Sequence, residues 1–312
     1  MRAWAKFFFC IFSILGALAF TTYQALPGLL EQYYLTKAFN ESGIKIKSVN
    51  IGRDRVVYGE TEKGKPTLLL VHGFQGDKRS WIPYIKKLNK QFHIVALDLP
   101  GHGGTDVPRS LKYDLESQAQ FLEVFVRKLG LDTFHLMGIS MGGGISTLYA
   151  SKYGYRVNKL VLINPFGADT PYKSGIELEV EKGNNYFFPE NIDDLDTFMV
   201  YIKGKPLALA RMFKQHLLMK LKEKQAFYKK VFYQLISSKK IEAFLPNIHS
   251  ETLVLVGEND QILHPSSIES YKKYVPNVKT LVFKDGEHVF YGKILENVIN
   301  ILKDFLADPT DK

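Results

Sequence analysis

Gly138-Ile139-Ser140-Met141-Gly142 decides how this chain is read. The strand-like run Thr133-Phe134-His135-Leu136-Met137 precedes it. A helix-forming stretch from Met141 to about Tyr153 follows it. A serine on a tight strand-to-helix turn has its hydroxyl pushed out at the carboxyl edge of a sheet. Glycines on both flanks let neighbouring backbone approach where a Cβ would clash. Ser140 is therefore the candidate nucleophile. Without its flanking elements the same pentapeptide would be an ordinary glycine-rich loop.

Outward from this turn, strands alternate with helices. Thr67-Leu68-Leu69-Leu70-Val71, Phe92 to Asp98 and Lys159-Leu160-Val161-Leu162-Ile163 are short runs rich in apolar residues, as strands buried on both faces require. Thr252-Leu253-Val254-Leu255-Val256 and Val278 to Phe283 continue the series. Helices are expected over about Leu115 to Leu129 and Gly292 to Leu306. The stretch from Ile44 to Glu60 reads as two short strands ahead of the series. Alternation of this kind predicts an α/β domain with a mostly parallel twisted sheet flanked by helices. The rhythm breaks between Pro165 and Ile248, where no buried-strand run occurs. The expected organisation is an α/β core over 44–165 and 248–312, with a helical cap over 166–247.

A serine near neutral pH is a poor nucleophile without a base, and the base needs a group that orients it. After Ser140 the chain offers Val256-Gly257-Glu258-Asn259-Asp260 at a strand end and Asp285-Gly286-Glu287-His288 after the next strand. Asp260 is the expected orienting carboxylate and His288 the expected base and acid. Glu258 on the same turn and Asp169 after an earlier strand are the alternative acids, Asp169 the better of the two. The chain has eight histidines, and His264 lies close to Asp260; His288 is preferred for its place after the last strand. Acyl transfer also needs donors for an oxyanion. The N–H of Met141, at a helix amino terminus, is one. The N–H of Phe74, in His72-Gly73-Phe74-Gln75-Gly76, is expected to be the other. His72 is expected to hydrogen-bond the loop rather than to transfer protons.

His72-Gly73-Phe74, Asp98-Leu99-Pro100-Gly101-His102-Gly103, Gly138 to Gly142, Gly257 to Asp260 and His288 together resemble the α/β-hydrolase family. The resemblance runs from about Ile44 to the end, apart from the cap. It is strongest toward membrane-bound monoacylglycerol lipases and related bacterial lipases. The details are Gly76-Asp77-Lys78 followed by Trp81, Ser140-Met141-Gly142-Gly143, Asn164-Pro165-Phe166-Gly167 and an apolar amino terminus. It implies hydrolysis of carboxylic esters, monoacylglycerol-like lipids among them, with no cofactor. Thr105 stands where the family often has serine, and Glu287 where glycine is common; neither removes a catalytic group. Serine at 140 argues against the dehalogenase and epoxide-hydrolase relatives, which use a carboxylate. Carbon–carbon bond hydrolases and perhydrolases keep the same triad and stay open. A membrane-tethered, non-catalytic binding module is the remaining alternative.

The composition is globular, 46% hydrophobic and 23% charged over 312 residues, with a net charge of +9. With one cysteine, Cys10, no intramolecular disulfide forms and no cysteine cluster binds a metal. A basic surface suits nucleic acid, anionic membrane or acidic substrate; no zinc-ligand spacing or helix-turn-helix pattern supports nucleic acid. Arg2 and Lys6 flank a 14-residue apolar run from Phe7 to Phe20. A helix over Trp4 to Leu26 would have 23 residues, enough for a hydrocarbon core of roughly 30 Å at about 1.5 Å per residue. Residues 1–26 are expected to be a membrane anchor, with a cleaved signal segment as the alternative, and 27–43 a juxtamembrane helix. The catalytic domain is then expected on the non-cytoplasmic side, or secreted or periplasmic after cleavage. A lipid or ester substrate and a membrane surface are the expected partners; no protein partner is indicated. In the cap, Leu209, Met212, Phe213, Leu217, Leu221, Phe227 and Val231 recur at roughly helical spacing among cations, predicting amphipathic helices with apolar faces down. The alternative for the cations is docking on anionic headgroups.

Overall fold

The structure is a computed structural model that describes residues 25–108, 111–238 and 240–307. Residues 25–42 form helix α1. Strands β1 (Lys45–Ile51), β2 (Asp54–Glu60), β3 (Thr67–Val71) and β4 (His93–Leu97) follow, with α2 (Ile82–Leu88) between β3 and β4. Then come α3 (Leu115–Leu129), β5 (Phe134–Ile139), α4 (Met141–Tyr153) and β6 (Val157–Ile163). The strands β7 (Glu251–Gly257) and β8 (Val278–Phe283) complete the sheet.

The eight strands lie in the order β1-β2-β4-β3-β5-β6-β7-β8. β1 pairs antiparallel with β2, and β2 with β4; every later pair is parallel. The central strands are apolar at consecutive positions because both of their faces are covered. Val56, Leu69, Val71 and Leu136 pack on one side beneath α3 and α4. Leu68, Leu70, Ile94 and Met137 pack on the other with Trp81, Ile85 and Leu302. Leu68, Leu69 and Leu70 are all fully buried, each contributing about 1.5–3 kcal/mol of hydrophobic stabilisation. α3 starts where its N-cap Asp114 accepts from Ser117 N–H and stops at Gly130, left-handed at φ 66°.

The long insertion between β6 and β7 carries four helices: α5 (Gly175–Glu181), α6 (Ile192–Lys203), α7 (Arg211–Glu223) and α8 (Gln225–Ser237). α8 buries Tyr228, Val231, Phe232 and Leu235. α7 buries no residue fully, so the expected apolar-face-down packing is met by α8 and only half met by α7. Four of the cations are engaged within the protein. Lys220 pairs with Glu31 at 2.7 Å, Lys222 with Glu190 at 3.3 Å and Lys214 with Asp196 at 2.6 Å. Lys224 donates to the Gly101 carbonyl at 3.1 Å. Beyond the insertion lie α9 (Ile268–Tyr274) and α10 (Gly292–Leu306).

α1 lies against the body through Phe39, which packs with the second core layer, and through Glu31. That carboxylate meets Arg79 at 2.9 Å, His216 at 3.0 Å and Lys220 at 2.7 Å. The outward face of α1 changes character along its axis. Leu26, Leu29, Tyr33 and Tyr34 are exposed in its first half; Thr36, Lys37, Asn40 and Glu41 are exposed in its second. The apolar run Phe7 to Phe20, expected to be an anchor or signal, lies outside the described residues. Among the described residues no helix is long and apolar enough to cross a membrane.

Candidate active site

Ser140 sits between β5 and α4 with φ 54° and ψ −122°. A non-glycine residue in that region carries about 1–3 kcal/mol of strain and persists only where its surroundings hold it. They do: Ser140 N–H donates to Ile163 O at 3.0 Å, and Ser140 O accepts from Gly144 N–H at 3.1 Å and Phe166 N–H at 3.0 Å. The flanking glycines are needed for closeness. A Cβ on Gly138 would stand 2.3 Å from Gly142 O, and one on Gly142 would stand 2.1 Å from Val71 O. Gly138 lets β5 approach α4, and Gly142 gives the turn its room on the side of β3.

His288 follows β8 and is buried, as is Asp260 after β7. His288 Nδ1 and Asp260 Oδ2 are 2.7 Å apart. The other carboxylate oxygen, Oδ1, accepts from Ile262 N–H at 2.8 Å and Leu263 N–H at 3.0 Å. With Nδ1 committed to the carboxylate, Nε2 is the nitrogen left for proton transfer. Ser140 and His288 line the same cavity, but no hydrogen bond closes between them, a looseness common in unliganded sites. The alternative acids lie elsewhere. Asp169 N–H donates to Glu242 and its carbonyl accepts from Ser270, while Glu258 accepts from Asp285 N–H. Burial, together with the charge of Asp260, raises the carboxyl pKa of the neighbouring Glu287 above its ordinary value.

The loop after β3 runs beside the serine: a Cβ on Gly73 would lie 3.1 Å from Ser140 Cβ. That places Phe74 next to Ser140, while Met141 begins α4 immediately after it. His72 is fully buried and bonded at both ring nitrogens. Leu99 N–H donates to Nε2, so Nδ1 carries the proton and donates to Gly73 O at 2.8 Å. Burial lowers the His72 pKa, which keeps the ring neutral. Downstream, Lys78 Nζ donates to the buried Asp98 at 2.6 Å, and Asp98 also accepts from Lys78 and Gly104 N–H groups. This buried pair holds the loop against β4.

Sequence reasoning overlooked Asn164 as a working residue. It follows β6 with φ 42°. Its side-chain nitrogen donates to His288 O at 2.8 Å, and its side-chain oxygen accepts from Gly257 N–H at 2.9 Å. One amide thus ties the end of β6 to the segments that carry Asp260 and His288. The only available signal was an Asn-Pro pair at a strand end. Gln75 was also missed: left-handed at φ 59°, it donates to Phe187 O at 2.8 Å and links the Phe74 loop to the insertion.

Two cavities of about 260 Å³ each meet at Ser140 and share Phe74, Phe187 and Ile262 as walls. The first runs beneath the insertion toward Ile176, Val180, Phe232 and Leu235. The second contains His288 and is walled by Trp81, Phe198 and Ile202. Among the described residues no group of three His, Cys, Asp or Glu side chains is placed to hold a metal ion.

The model of the alpha/beta hydrolase fold family matches residues 66–198 and 211–293. The chain belongs to that family. Among its alpha/beta hydrolase relatives is the Xenopus laevis monoacylglycerol lipase abhd6-A, 25% identical over 303 residues, or 92% of this chain and 89% of that protein. Lipase 1 of Psychrobacter immobilis is 29% identical over 275 residues, 85% of each. The crystal structure of a membrane phospholipase A, described as a novel bacterial virulence factor, superposes with a TM-score of 0.87. It is 30% identical and covers 96% of this chain and 98% of that one. This alpha/beta hydrolase therefore shares its fold, almost end to end, with proteins named for lipid ester hydrolysis.

Proposed function

We propose that the protein is a serine hydrolase that cleaves carboxylic esters of acylglycerol-type lipids, monoacylglycerol-like lipids among them, through an acyl-enzyme. The 2.7 Å bond between buried His288 and Asp260, at the cavity that holds Ser140, carries the proposal. Ser140 Oγ attacks the ester carbonyl as its proton passes to His288 Nε2. The N–H groups of Phe74 and Met141 hold the tetrahedral oxyanion. Collapse breaks the bond to the alcohol oxygen, which leaves with the proton from His288. Water then attacks the acyl-enzyme, gives a proton to His288, and releases the acid as that proton returns to Ser140. Asp260 holds the ring in the tautomer that these transfers need.

The lipid class is supported by the names of the relatives and by the apolar lining of both cavities. We propose further that the segment before α1 anchors the protein and that the catalytic body faces the non-cytoplasmic side. The outward face of α1 supports immersion of its first half, where tyrosines suit the bilayer interface. A fluorophosphonate probe should label the full-length protein once, and Ser140→Ala should abolish both labelling and ester turnover. Labelling that persists in Ser140→Ala would overturn the nucleophile assignment. Carbonate extraction that releases the full-length protein would overturn the anchor.

A further inference from the structure

An ester bonded to Ser140 has two arms, and His288 tells them apart. The leaving oxygen must receive its proton from the His288 ring, so the leaving group lies on the His288 side. His288 and Val289 line the second cavity, whereas Met141 lines the first. The acyl arm therefore belongs in the first cavity, against Ile176, Val180 and Phe232, and the leaving group in the second.

The second cavity is unsuited to bare glycerol. Its far wall is Trp81, Phe198 and Ile202. The polar atoms of that region, Trp81 Nε1 and Tyr84 Oη, are buried with essentially no accessible surface, so ring carbon meets the cavity. Among the described residues, Ser80 supplies the one side-chain hydroxyl with access to it beyond Ser140. Several alcohol hydroxyls placed there would give up water without gaining partners. An alkyl chain would gain, at about four-fold in binding for each methylene taken out of water.

We propose that the second cavity takes a second acyl chain, carried on the leaving group, and that the preferred substrates are diacyl glycerolipids. This rests on the acyl-enzyme reading and sharpens its lipid class. The scissile acyl chain lies under the insertion, and the glycerol backbone sits at the junction beside Ser140 and His288. The chain that is not cleaved lies between Trp81, Phe198 and Ile202. Its ester stays intact in the lyso product.

The test compares the full-length protein on phosphatidylglycerol bearing two identical medium-length chains and on its monoacyl lyso counterpart. Both are presented in the same neutral-detergent micelles, with a matched diacylglycerol and monoacylglycerol pair as a second series. The diacyl member should show kcat/KM at least about ten-fold higher in each series, less than two methylenes taken out of water would give at about four-fold each. Ile202→Trp should lower diacyl turnover by a larger factor than monoacyl turnover, so that the advantage shrinks while Ser140 still takes the fluorophosphonate label. Val180→Trp, in the first cavity, should lower turnover of both members. Equal rates on the two members, or a preference for the monoacyl one, would overturn the proposal. So would an Ile202→Trp protein that loses monoacyl and diacyl turnover alike. The wild-type ratio decides the matter even where a variant fails to fold. Absence of labelling at Ser140 would instead strike the underlying acyl-enzyme reading.

Discussion

The carboxyl edge of the sheet and the insertion above it are held together by different forces. At the edge, buried side chains bond to backbone: Asn164 to His288 O and Gly257 N–H, Asp260 to Ile262 and Leu263 N–H. Each such group has no water to fall back on, so removing its partner carries the full cost of desolvation. The insertion is knit internally by pairs such as Lys173–Glu181 and Lys222–Glu190, whose side chains are well exposed, and joined to the core by aromatic contacts of Phe74 with Phe187 and Phe232. Exposed pairs contribute little and are replaceable. The proposed chemistry thus rests on the rigid edge, while the shape of the cavities rests on packing that can drift without disturbing it.

The largest effect expected is at the edge. Asp260→Asn should lower kcat by about 10,000-fold, the size seen when the orienting acid of a triad is neutralised, with little change in unfolding temperature. Asp169→Asn should be silent; the reverse result would move the acid to β6 and dissolve the contrast drawn here. Next comes Asn164→Ala, which leaves Gly257 N–H and His288 O without their partner. Each buried group so orphaned costs about 1–3 kcal/mol, and displacement of the histidine segment should lower kcat by about 10- to 100-fold. Chemical denaturation and steady-state rates on a short soluble ester would read both. A variant that loses stability but keeps kcat would show that the amide braces the fold without positioning His288.

Where the two regions meet, His102 offers a pH test. It packs against Phe227 and Tyr228 of the insertion. Burial pushes its pKa down from 6.5 to about 3. Below pH 6.5 the unfolded chain takes a proton that the folded one refuses. Stability is therefore full above 6.5 and is lost as pH falls through that value toward 3, by up to ~1.4 kcal/mol per pH unit. His102→Gln should flatten that slope by roughly one histidine's share. An unchanged slope would place the proton-linked loss elsewhere. The smallest effect belongs to the periphery. Glu31→Gln should cost at most about 1 kcal/mol for contacts this exposed, and high salt should erase the difference. A larger, salt-resistant loss would mean that α1 supports the body as firmly as the sheet edge does.

The elements legible in the sequence are those that local chemistry specifies. α3 announces itself by Asp114 and Gly130, and α10 by its apolar period. β3 and β7 show as short apolar runs between turns. Ser140, Asp260 and His288 could be proposed from chain order because each stands just past a strand. α2 and α9 went unread: at seven residues each, they give a periodic pattern too little length. The half-buried state of α7 was hidden because its cations find partners on α1 and α6 that no local pattern reveals. Asn164 was quoted only as part of a resemblance. Its work depends on three chain segments meeting, which exists only in the folded chain.

The elbow's bonds have a consequence in time. Ser140 is held by Ile163 O and Phe166 N–H, groups made after it during synthesis, and its partners come later still, at 260 and 288. A nascent chain complete through β6 has a shaped serine and lacks the proposed base. One complete through β7 has the proposed acid with nothing to orient. Under the proposed mechanism, only when the segment after β8 has been made and docked can the molecule attack an ester. An enzyme proposed to work on the membrane it is delivered to is thereby inert toward that membrane until the residues past β8 have been made.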